Sequence, residues 1–522
     1  MKKALAILLV LVLATGLLTA CGDKKKDPSG EGRTSVVLAE PSEWWGLDTT
    51  LLDGASFTQG LVGDSLVVLD EKGDMQPCIA SAVTMSEDGK TVILTIPEGM
   101  YYASGEQVEP EDVVASLTRF KAVSPFSTNL EPLVDMEIKG RDVYLYLSDF
   151  TSDIGVSLSG TFVTVQDKDV LDKSTDDELL WGAQPYGQFY LDSFVPGSHV
   201  VLKRNPGYKT HNPLVTNKGP AALETVTVRF ITEEFSMANA LNVDDIQVIF
   251  SISADGLSQV TRKDIEVKQL VANPNIDYIE FNLKNDILSD KRVREALAIA
   301  IDRQALVDIN KGLVIPAWSI ITDKVISHSE EFAAYYKDTY SLNIERAKEL
   351  LADAGWADSD GNGYLDKDGK ELKLKIVGND EATENNTVQS LQIQYKAIGV
   401  NLEIEMFANY YHYDVIFEGN YDIGLAHFGW PEPILLMNMI TCDPENLVTA
   451  DREDEFFGLI AEASHIVDNE ERAVVLAKAE RILSDHMITV PLYTGMNTFV
   501  FAGGVTGIDI RGTGAIFFND MK

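Results

Sequence analysis

The sequence feature that most constrains the fold is a strand that leads through a short polar turn into a helix, within residues 278–312. Its first residues, Tyr-Ile-Glu-Phe-Asn-Leu, alternate apolar and polar side chains, which is typical of a strand. Asp290 offers an oxygen to the open N–H groups of a helix start, and Gly312 tolerates the left-handed backbone that follows a helix end. Between them, one apolar helix face is formed by Val293, Leu297, Ala300, Ile301 and Ala305. We therefore predict one buried helix between Asp290 and Gly312, which follows directly after a strand.

Two further patterns predict how neighbouring strands pair. Residues 372–377 and 401–407 have strand character, and residues 387–398 between them have helical character that ends at Gly399. This order predicts a parallel strand pair with a right-handed crossover. Nearer the N-terminus, the turn Glu-Asp-Gly-Lys at residues 87–90 joins two alternating stretches and predicts a β-hairpin.

Length and charge limit the classes of protein that the chain can belong to. A chain of 522 residues is too long for a single hydrophobic core, so two or three domains are expected. The net charge of −38 argues against binding to nucleic acid and against electrostatic docking on anionic lipid. It weakly favours cationic ligands, and a generally solvated acidic surface is the simpler explanation.

The N-terminus has the organisation of an export signal. Lys2 and Lys3 precede an apolar run at residues 5–18, which is short for a membrane-spanning helix, and the run ends in Leu-Thr-Ala-Cys. This ending resembles a bacterial lipobox, which implies a signal peptide at residues 1–20 and a lipid anchor on Cys21. The alternative is an ordinary secretory signal with an unrelated cysteine. Residues 21–34 are polar and contain Gly and Pro, so we predict a flexible tether.

Longer stretches of the sequence resemble one known family. Phe281-Asn-Leu, followed by Val-Arg-Glu-Ala-Leu-Ala-Ile-Ala-Ile-Asp-Arg at residues 293–303, resembles the signature of family 5 extracellular solute-binding proteins. Segments at residues 97–120, 182–191, 200–208 and 490–493 resemble other parts of that family's sequence, and they occur in the same order. The resemblance runs from Ser35 to Lys522. This family contains the oligopeptide, dipeptide and nickel receptors of ABC importers.

The resemblance implies an α/β fold of the type II periplasmic-binding-protein kind, with mixed sheets around a cleft between two lobes. Lobe I would contain residues 35–272, with a small subdomain inserted at about residues 65–180, and residues 493–522 would return to it. Lobe II would contain residues 273–492. The hinge strands would lie near residues 271–275 and 491–497. The implied protein is a monomer on the outer side of the cytoplasmic membrane that delivers its solute to ABC permease subunits.

The resemblance also suggests which residues contact the ligand. In peptide-binding members an acid after a Gly-Trp pair holds the amino group of the peptide, and Glu432 is the only nearby acid after Gly429-Trp430. An Arg expected after the strand at residues 372–377 is replaced by a polar stretch that includes Asn385, so a free carboxylate of a short peptide would be poorly held. A longer peptide or a cationic ligand fits better. Aromatic side chains provide candidate walls, with ordinary core packing as the alternative for each: Trp44, Trp45, Phe57, Tyr410, Tyr411 and Trp430.

Metal-binding patterns are few. Asp358, Asp360, Asn362 and Asp366 occupy the first, third, fifth and ninth positions of a calcium-loop pattern, but the twelfth position is a glycine instead of a glutamate. The alternative is a solvated turn. His412 and His427 flank the ligand motif and are candidate ligands for nickel or a metal chelate.

No local catalytic motif is present, and the cysteines do not form a disulfide framework. The chain has no Gly-x-Ser-x-Gly elbow, no phosphate-binding loop and no His-Glu-x-x-His pattern. Besides Cys21 only Cys78 and Cys442 remain, and we expect unpaired buried thiols, with a disulfide as the alternative. We therefore predict a receptor without enzymatic activity or cofactor that captures a peptide. The alternatives are a receptor for nickel, a metal chelate or another cationic solute, and a secreted hydrolase or sensor.

Overall fold

The computed structural model describes residues 33–52 and 54–522. The predicted signal peptide, Cys21 and the tether as far as residue 32 lie outside the described residues. Within the described part, no helix combines the length and the apolar character needed to span a membrane.

The described chain contains both strands and helices along its whole length. The strands are β1 (Ser35–Glu40), β2 (Val67–Leu69), β3 (Met75–Pro77), β4 (Ala82–Met85), β5 (Thr91–Thr95), β6 (Leu133–Lys139), β7 (Asp142–Leu147), β8 (Phe189–Val195), β9 (His199–Arg204), β10 (Thr225–Phe230), β11 (Val248–Phe250), β12 (Ile265–Leu270), β13 (Ile276–Phe281), β14 (Val314–Pro316), β15 (Asp366–Lys367), β16 (Lys370–Glu371), β17 (Lys373–Asn379), β18 (Asn401–Phe407), β19 (Ile423–Phe428), β20 (Thr489–Gly495), β21 (Asn497–Ala502), β22 (Asp509–Ile510) and β23 (Ile516–Phe517). The α-helices are α1 (Pro110–Val123), α2 (Ile154–Ser159), α3 (Lys168–Leu171), α4 (Asp176–Gly182), α5 (Glu234–Asn242), α6 (Ala254–Ser258), α7 (Lys291–Ile299), α8 (Arg303–Ile309), α9 (Glu330–Tyr340), α10 (Ile344–Asp353), α11 (Ala382–Lys396), α12 (His412–Phe417), α13 (Pro433–Met439), α14 (Glu445–Thr449), α15 (Glu453–Ser464) and α16 (Asn469–Asp485). Short 3₁₀ helices occur at Thr49–Leu51, Gln59–Leu61 and Ser127–Leu130.

Three larger sheets organise these elements. A seven-stranded sheet has the order β12-β21-β11-β1-β10-β9-β8, and its central strand β1 runs parallel to both β10 and β11. A six-stranded sheet has the order β14-β20-β13-β19-β17-β18 and contains both parallel and antiparallel pairs. A four-stranded antiparallel sheet has the order β4-β5-β7-β6. The fold is therefore α/β with mixed sheets.

Each larger sheet has its own hydrophobic core, because each presents apolar side chains with the two-residue period of a strand. Val36 and Leu38 of β1 pack into the core on one face of the seven-stranded sheet, whereas Ala39 packs into a smaller core on the opposite face. Separate clusters form beneath the six-stranded sheet and beneath the four-stranded sheet. The described chain thus has three main hydrophobic cores, and its division into domains stays a prediction.

Local structure confirms most of the predicted patterns and corrects one. β17, α11 and β18 form the expected strand, helix and parallel strand, and the turn at residues 87–90 joins the antiparallel pair β4 and β5. Asp290 caps α7 by accepting a hydrogen bond from the backbone N–H of Arg292 at 3.0 Å. The prediction of one helix as far as Gly312 is wrong, because α7 ends at Ile299 and Asp302 caps a second helix, α8, through the N–H groups of Gln304 and Ala305.

The chain crosses between the two largest sheets twice. Residues 271–275 connect β12 to β13, and Met496 alone separates β20 from β21. The two crossings are hydrogen bonded to each other, since Gly495 N–H donates to Asn275 Oδ1 at 2.7 Å and Asn275 Nδ2 donates to the Gly495 carbonyl at 3.2 Å. Hinge closure uses adjacent crossings of this kind, and the hinge near residues 271–275 and 491–497 stays a prediction.

Candidate ligand-binding cleft

A cavity of about 1070 Å³ lies between the seven-stranded and six-stranded sheets. Residues 251–253 after β11 line it from one side, and residues 381–384 and 429–431 line it from the other. Residues of the segment around the four-stranded sheet, including Phe126 and Phe162, form a further wall. Both crossings border the cavity through Asn275 and Met496, so the cavity sits at the junction of all three structural units.

One wall of the cavity is acidic. Asp277, at the start of β13, lies beside His427 of β19, with 3.1 Å between Asp277 Oδ2 and His427 Nδ1. Glu384, in the first turns of α11, accepts a hydrogen bond from the backbone N–H of Asn379 at 2.8 Å. Glu381, which precedes α11, accepts a hydrogen bond from the hydroxyl of Tyr410 at 3.0 Å. We refer to Asp277, Glu381, Glu384, Tyr410 and His427 as the acidic wall.

The groups of this wall perturb one another's protonation. Burial raises the pKa of Glu384 to about 7, and the charges of Asp277 and Glu381 act in the same direction. Desolvation inside the cleft acts to lower the pKa of His427, but the charge and hydrogen bond of Asp277, with the charges of Glu384 and Glu381, raise it to about 9. The imidazole is therefore held in its charged form at neutral pH.

Tyr410 is held in the wall by an unusual backbone. Asn409 and Tyr410 have φ angles of 54° and 59°, in the left-handed region that non-glycine residues rarely adopt. The backbone N–H of Tyr410 donates to Asn379 Oδ1 at 3.0 Å, and this bond helps to hold the turn. Because consecutive residues of this kind concentrate at functional sites, the geometry is consistent with a ligand-facing role for the Tyr410 ring.

Three of the sequence-predicted aromatic residues line the cavity. The Phe57 ring packs against Phe250 and Phe499, with ring centroids 6.2 Å and 5.7 Å away. Trp430 lies 5.8 Å from Phe126, centroid to centroid, and joins the six-stranded-sheet side of the cavity to the wall around the four-stranded sheet. Tyr410, also among the candidate aromatics, lines the cavity as part of the acidic wall.

The structure places the other predicted contacts outside the cavity lining. Trp45 and Tyr411 are 60% and 55% exposed. Asn385 donates to Asp380 at 2.8 Å, although its neighbour Glu384 faces the cavity. The buried carboxylate of Glu432 caps α13 through the backbone N–H of Leu435 at 2.8 Å. Contact of these four residues with a ligand remains a prediction.

Sequence reasoning did not single out Asp277 or Glu384. Asp277 carried no clear signal, because an acid is ordinary in a strand that alternates apolar and polar residues, whereas the structure buries all six residues of β13. Glu384 belongs to the polar stretch after β17 that the resemblance pointed to, one residue before Asn385. Which of these polar side chains turns inward depends on the start of α11, and that start lies five residues earlier than the predicted one.

The metal-binding candidates separate into two groups. Carboxylate oxygens of Asp358, Asp360 and Asp366 lie within 4.8 Å of one another. Among the described residues, this is the one group of three or more His, Cys, Asp or Glu side chains that is close enough to hold a metal ion. Asn362 donates its side-chain amide to Asp360 at 3.1 Å. His412 is buried outside the cavity lining, and burial lowers its pKa to about 4, whereas His427 belongs to the acidic wall. Cys78 and Cys442 are free and buried, as expected.

Comparison with known proteins now identifies the family. Residues 74–442 match the family described as bacterial extracellular solute-binding proteins, family 5 Middle, and this match covers more than half of the chain. The chain therefore belongs to the family 5 bacterial extracellular solute-binding proteins, and its predicted membership is confirmed.

Individual relatives are distant but extend over the whole chain. The oligopeptide-binding protein OppA of Bacillus subtilis is 22% identical over 100% of this chain and 99% of its own length. The periplasmic oligopeptide-binding protein OppA of Salmonella typhimurium is 24% identical over 95% and 96%. The structure of NikA from Brucella suis in complex with Fe(III)-EDTA superimposes with a TM-score of 0.81, at 18% identity, over 94% of this chain and 99% of that one. The predicted fold, α/β of the type II periplasmic-binding-protein kind, is confirmed.

Proposed function

We propose that this protein is the extracytoplasmic receptor of an ABC importer and that it captures a peptide in the cleft between two lobes. Lobe I comprises residues 35–272 and 493–522, with the subdomain at about residues 65–180 inserted, and lobe II comprises residues 273–492. The observation that carries the proposal is the cavity of about 1070 Å³, which is enclosed by three structural units and bordered by both chain crossings. Relatives described as oligopeptide-binding and dipeptide-binding proteins, which align over nearly their full lengths, support a peptide as the ligand.

The cavity favours a ligand that is held by its backbone and by a few polar contacts. Its volume lies at or above the upper end of the range for sites that hold one drug-sized molecule, which suits an extended peptide of several residues. Phe57, Tyr410 and Trp430 supply aromatic surface on different sides of it. The ligand leaves the site chemically unchanged, and closing of the lobes about the two crossings sequesters it.

Export and anchoring complete the proposal. Lipidation of Cys21 holds the protein on the outer side of the cytoplasmic membrane, and residues 21–34 give the receptor reach to the permease subunits. The receptor acts as a monomer in this proposal, as the resemblance to the family implies.

Binding of peptide pools tests the proposal. Native mass spectrometry of the purified protein should show adducts with the masses of peptides, and thermal-shift assays should show stabilisation by at least one pool, since a ligand that binds the folded state raises its stability. Unchanged melting temperatures and adduct-free spectra with every pool would contradict a peptide receptor.

A second candidate is a receptor for nickel or a chelated metal, because His427 lies in the cavity and its imidazole can bind a metal once the metal displaces the proton. Elemental analysis of protein purified without an affinity tag separates the two candidates. A stoichiometric transition metal that is lost in His427→Ala would favour the chelate, and its absence would favour the peptide. The cluster of Asp358, Asp360 and Asp366 supports a separate structural calcium ion outside the cleft.

A further inference from the structure

The acidic wall contains two buried carboxylates that are each only half satisfied. Asp277 and Glu384 are both 6% exposed, and both line the cavity. Asp277 Oδ2 contacts His427, and Glu384 Oε2 accepts the Asn379 N–H. The second oxygen of each carboxylate has no hydrogen-bond partner among the described residues. Neither oxygen is among the fully buried polar atoms that lack a partner, so both are open to the cavity, where a ligand can replace water as the donor.

The charge around these oxygens has one sign. Three carboxylates, of Asp277, Glu381 and Glu384, face one imidazolium, of His427, and the described residues that line the cavity include no Lys or Arg. The opposite walls add Asp64, which accepts a hydrogen bond from the Tyr208 hydroxyl at 2.6 Å, and Glu234. The potential inside the cavity is therefore negative, and a cleft with low-dielectric walls concentrates such a field.

We propose that the acidic wall is a subsite for a cationic group of the ligand, an ammonium or guanidinium that donates hydrogen bonds to Asp277 Oδ1 and Glu384 Oε1 while the ring of Tyr410 covers it. This inference rests on the proposed function and specifies its substrate class as peptides that carry positive charge. The exposed half of the Tyr410 ring gives the cation an aromatic face, and the hydroxyl of Tyr410 is already engaged by Glu381.

A structural role alone explains the wall less well. The structural acids Glu432 and Glu480 also use one carboxylate oxygen, but their second oxygen is fully buried in the protein and has no hydrogen-bond partner among the described residues. In Asp277 and Glu384 the bonded oxygen is used by the protein and the second oxygen is left for the cavity. A negatively charged ligand would have to approach these oxygens against their charge and against the net charge of the wall.

Calorimetric titration of the purified protein with matched peptides tests the subsite. The peptides are of one length and carry a single lysine at each position in turn, with norleucine and glutamate at the same position as neutral and acidic counterparts, each with a free or an acetylated amino terminus. At about pH 8, which is above the pKa of about 7 that burial gives Glu384, the best lysine peptide should bind about tenfold or more tightly than its norleucine counterpart, as a charge-assisted hydrogen bond implies. The glutamate peptide should bind more weakly still.

Two isosteric variants and one control assign the preference to the wall. Glu384→Gln retains an oxygen for the Asn379 N–H, and Asp277→Asn retains one for His427, so each should keep its melting temperature and lose most of the preference for lysine. Glu462→Gln removes the same charge from an exposed position on α15 and should keep the preference. If the free amino terminus alone produces the preference, the bound cation is the terminal ammonium, and it supports the subsite only if Glu384→Gln and Asp277→Asn remove that preference.

The failures of the two proposals are distinguishable. Peptides that bind with equal affinity whatever their charge, or a lysine preference that survives in both Glu384→Gln and Asp277→Asn, would overturn the cationic subsite and leave the peptide receptor standing. If no peptide of any charge binds, the proposed function fails and the subsite fails with it.

Discussion

The contact between Trp430 and Phe126 offers a quantitative test of how the cleft closes. The two rings lie 5.8 Å apart with a tilt of 43°, and they belong to opposite sides of the cavity. An aromatic pair contributes about 0.5–1.5 kcal/mol beyond the burial of its area. If the pair forms only when the lobes close around the ligand, this energy adds to the apparent binding free energy. Its loss should weaken binding by about twofold to tenfold.

A double-mutant cycle isolates this energy. We expect Trp430→Ala to weaken peptide binding more than Phe126→Ala, because Phe126 also packs on Phe162 at 4.7 Å and the truncated site stays partly filled. The loss of binding free energy in the double variant should be smaller than the sum of the losses in the two single variants. The difference, measured by calorimetric titration, is the coupling energy and should be about 0.5–1.5 kcal/mol.

A stacked pair elsewhere serves as the matched control. Trp181 and Phe194 lie 3.7 Å apart, centroid to centroid, and neither lines the cavity. Their alanine variants should lower the melting temperature and show no coupling in peptide affinity. A coupling energy for Trp430 and Phe126 below about 0.3 kcal/mol in binding would refute the reasoning. It would mean that the contact between the two sides exists equally in the open and closed receptor.

Three further predictions concern stability, metal binding and anchoring. Burial and the charge of Asp153 raise the pKa of Glu432 from 4.5 to about 8, so the free energy of unfolding should fall as pH rises between these values. Urea titrations should show a smaller fall in Glu432→Gln, and an equal fall would contradict the pKa assignment. Calcium should raise the melting temperature of the wild type by a few degrees and leave that of a protein carrying both Asp358→Asn and Asp360→Asn unchanged; a wild type that is insensitive to calcium and to chelator would exclude the site. Cys21→Ser should move the protein from the membrane fraction to the medium or periplasm on immunoblots, and retention in the membrane would count against the lipid anchor.

Periodic patterns in the sequence predicted the local elements well, because they report burial directly. The parallel pair β17 and β18 and the hairpin of β4 and β5 both follow from alternation and turn chemistry within short windows. The break between α7 and α8 was missed because apolar residues continue at helical spacing through Ile301. A cap at Asp302 overrides that periodicity, since its carboxylate offers the backbone N–H groups a local alternative.

The site was predicted less completely because it is assembled from distant segments. Phe57, Tyr410 and Trp430 could be nominated as aromatics near motifs, and the structure places all three in the cavity lining. Asp277 and His427 are 150 positions apart in the sequence. They meet because β13 pairs with β19 in a register that places them side by side. No window along the chain contains that information. Likewise, the orientation of Glu384 depends on the first turn of α11, and helix boundaries are the features least determined by local sequence.

Small-angle scattering of the purified receptor, with and without a peptide pool that native mass spectrometry shows to be bound, tests the central claim most directly. If two lobes joined at residues 271–275 and 491–497 close on the ligand, the radius of gyration falls when peptide is added and recovers when the peptide is removed. Superimposable scattering profiles at full peptide occupancy would contradict capture by closure of the cleft.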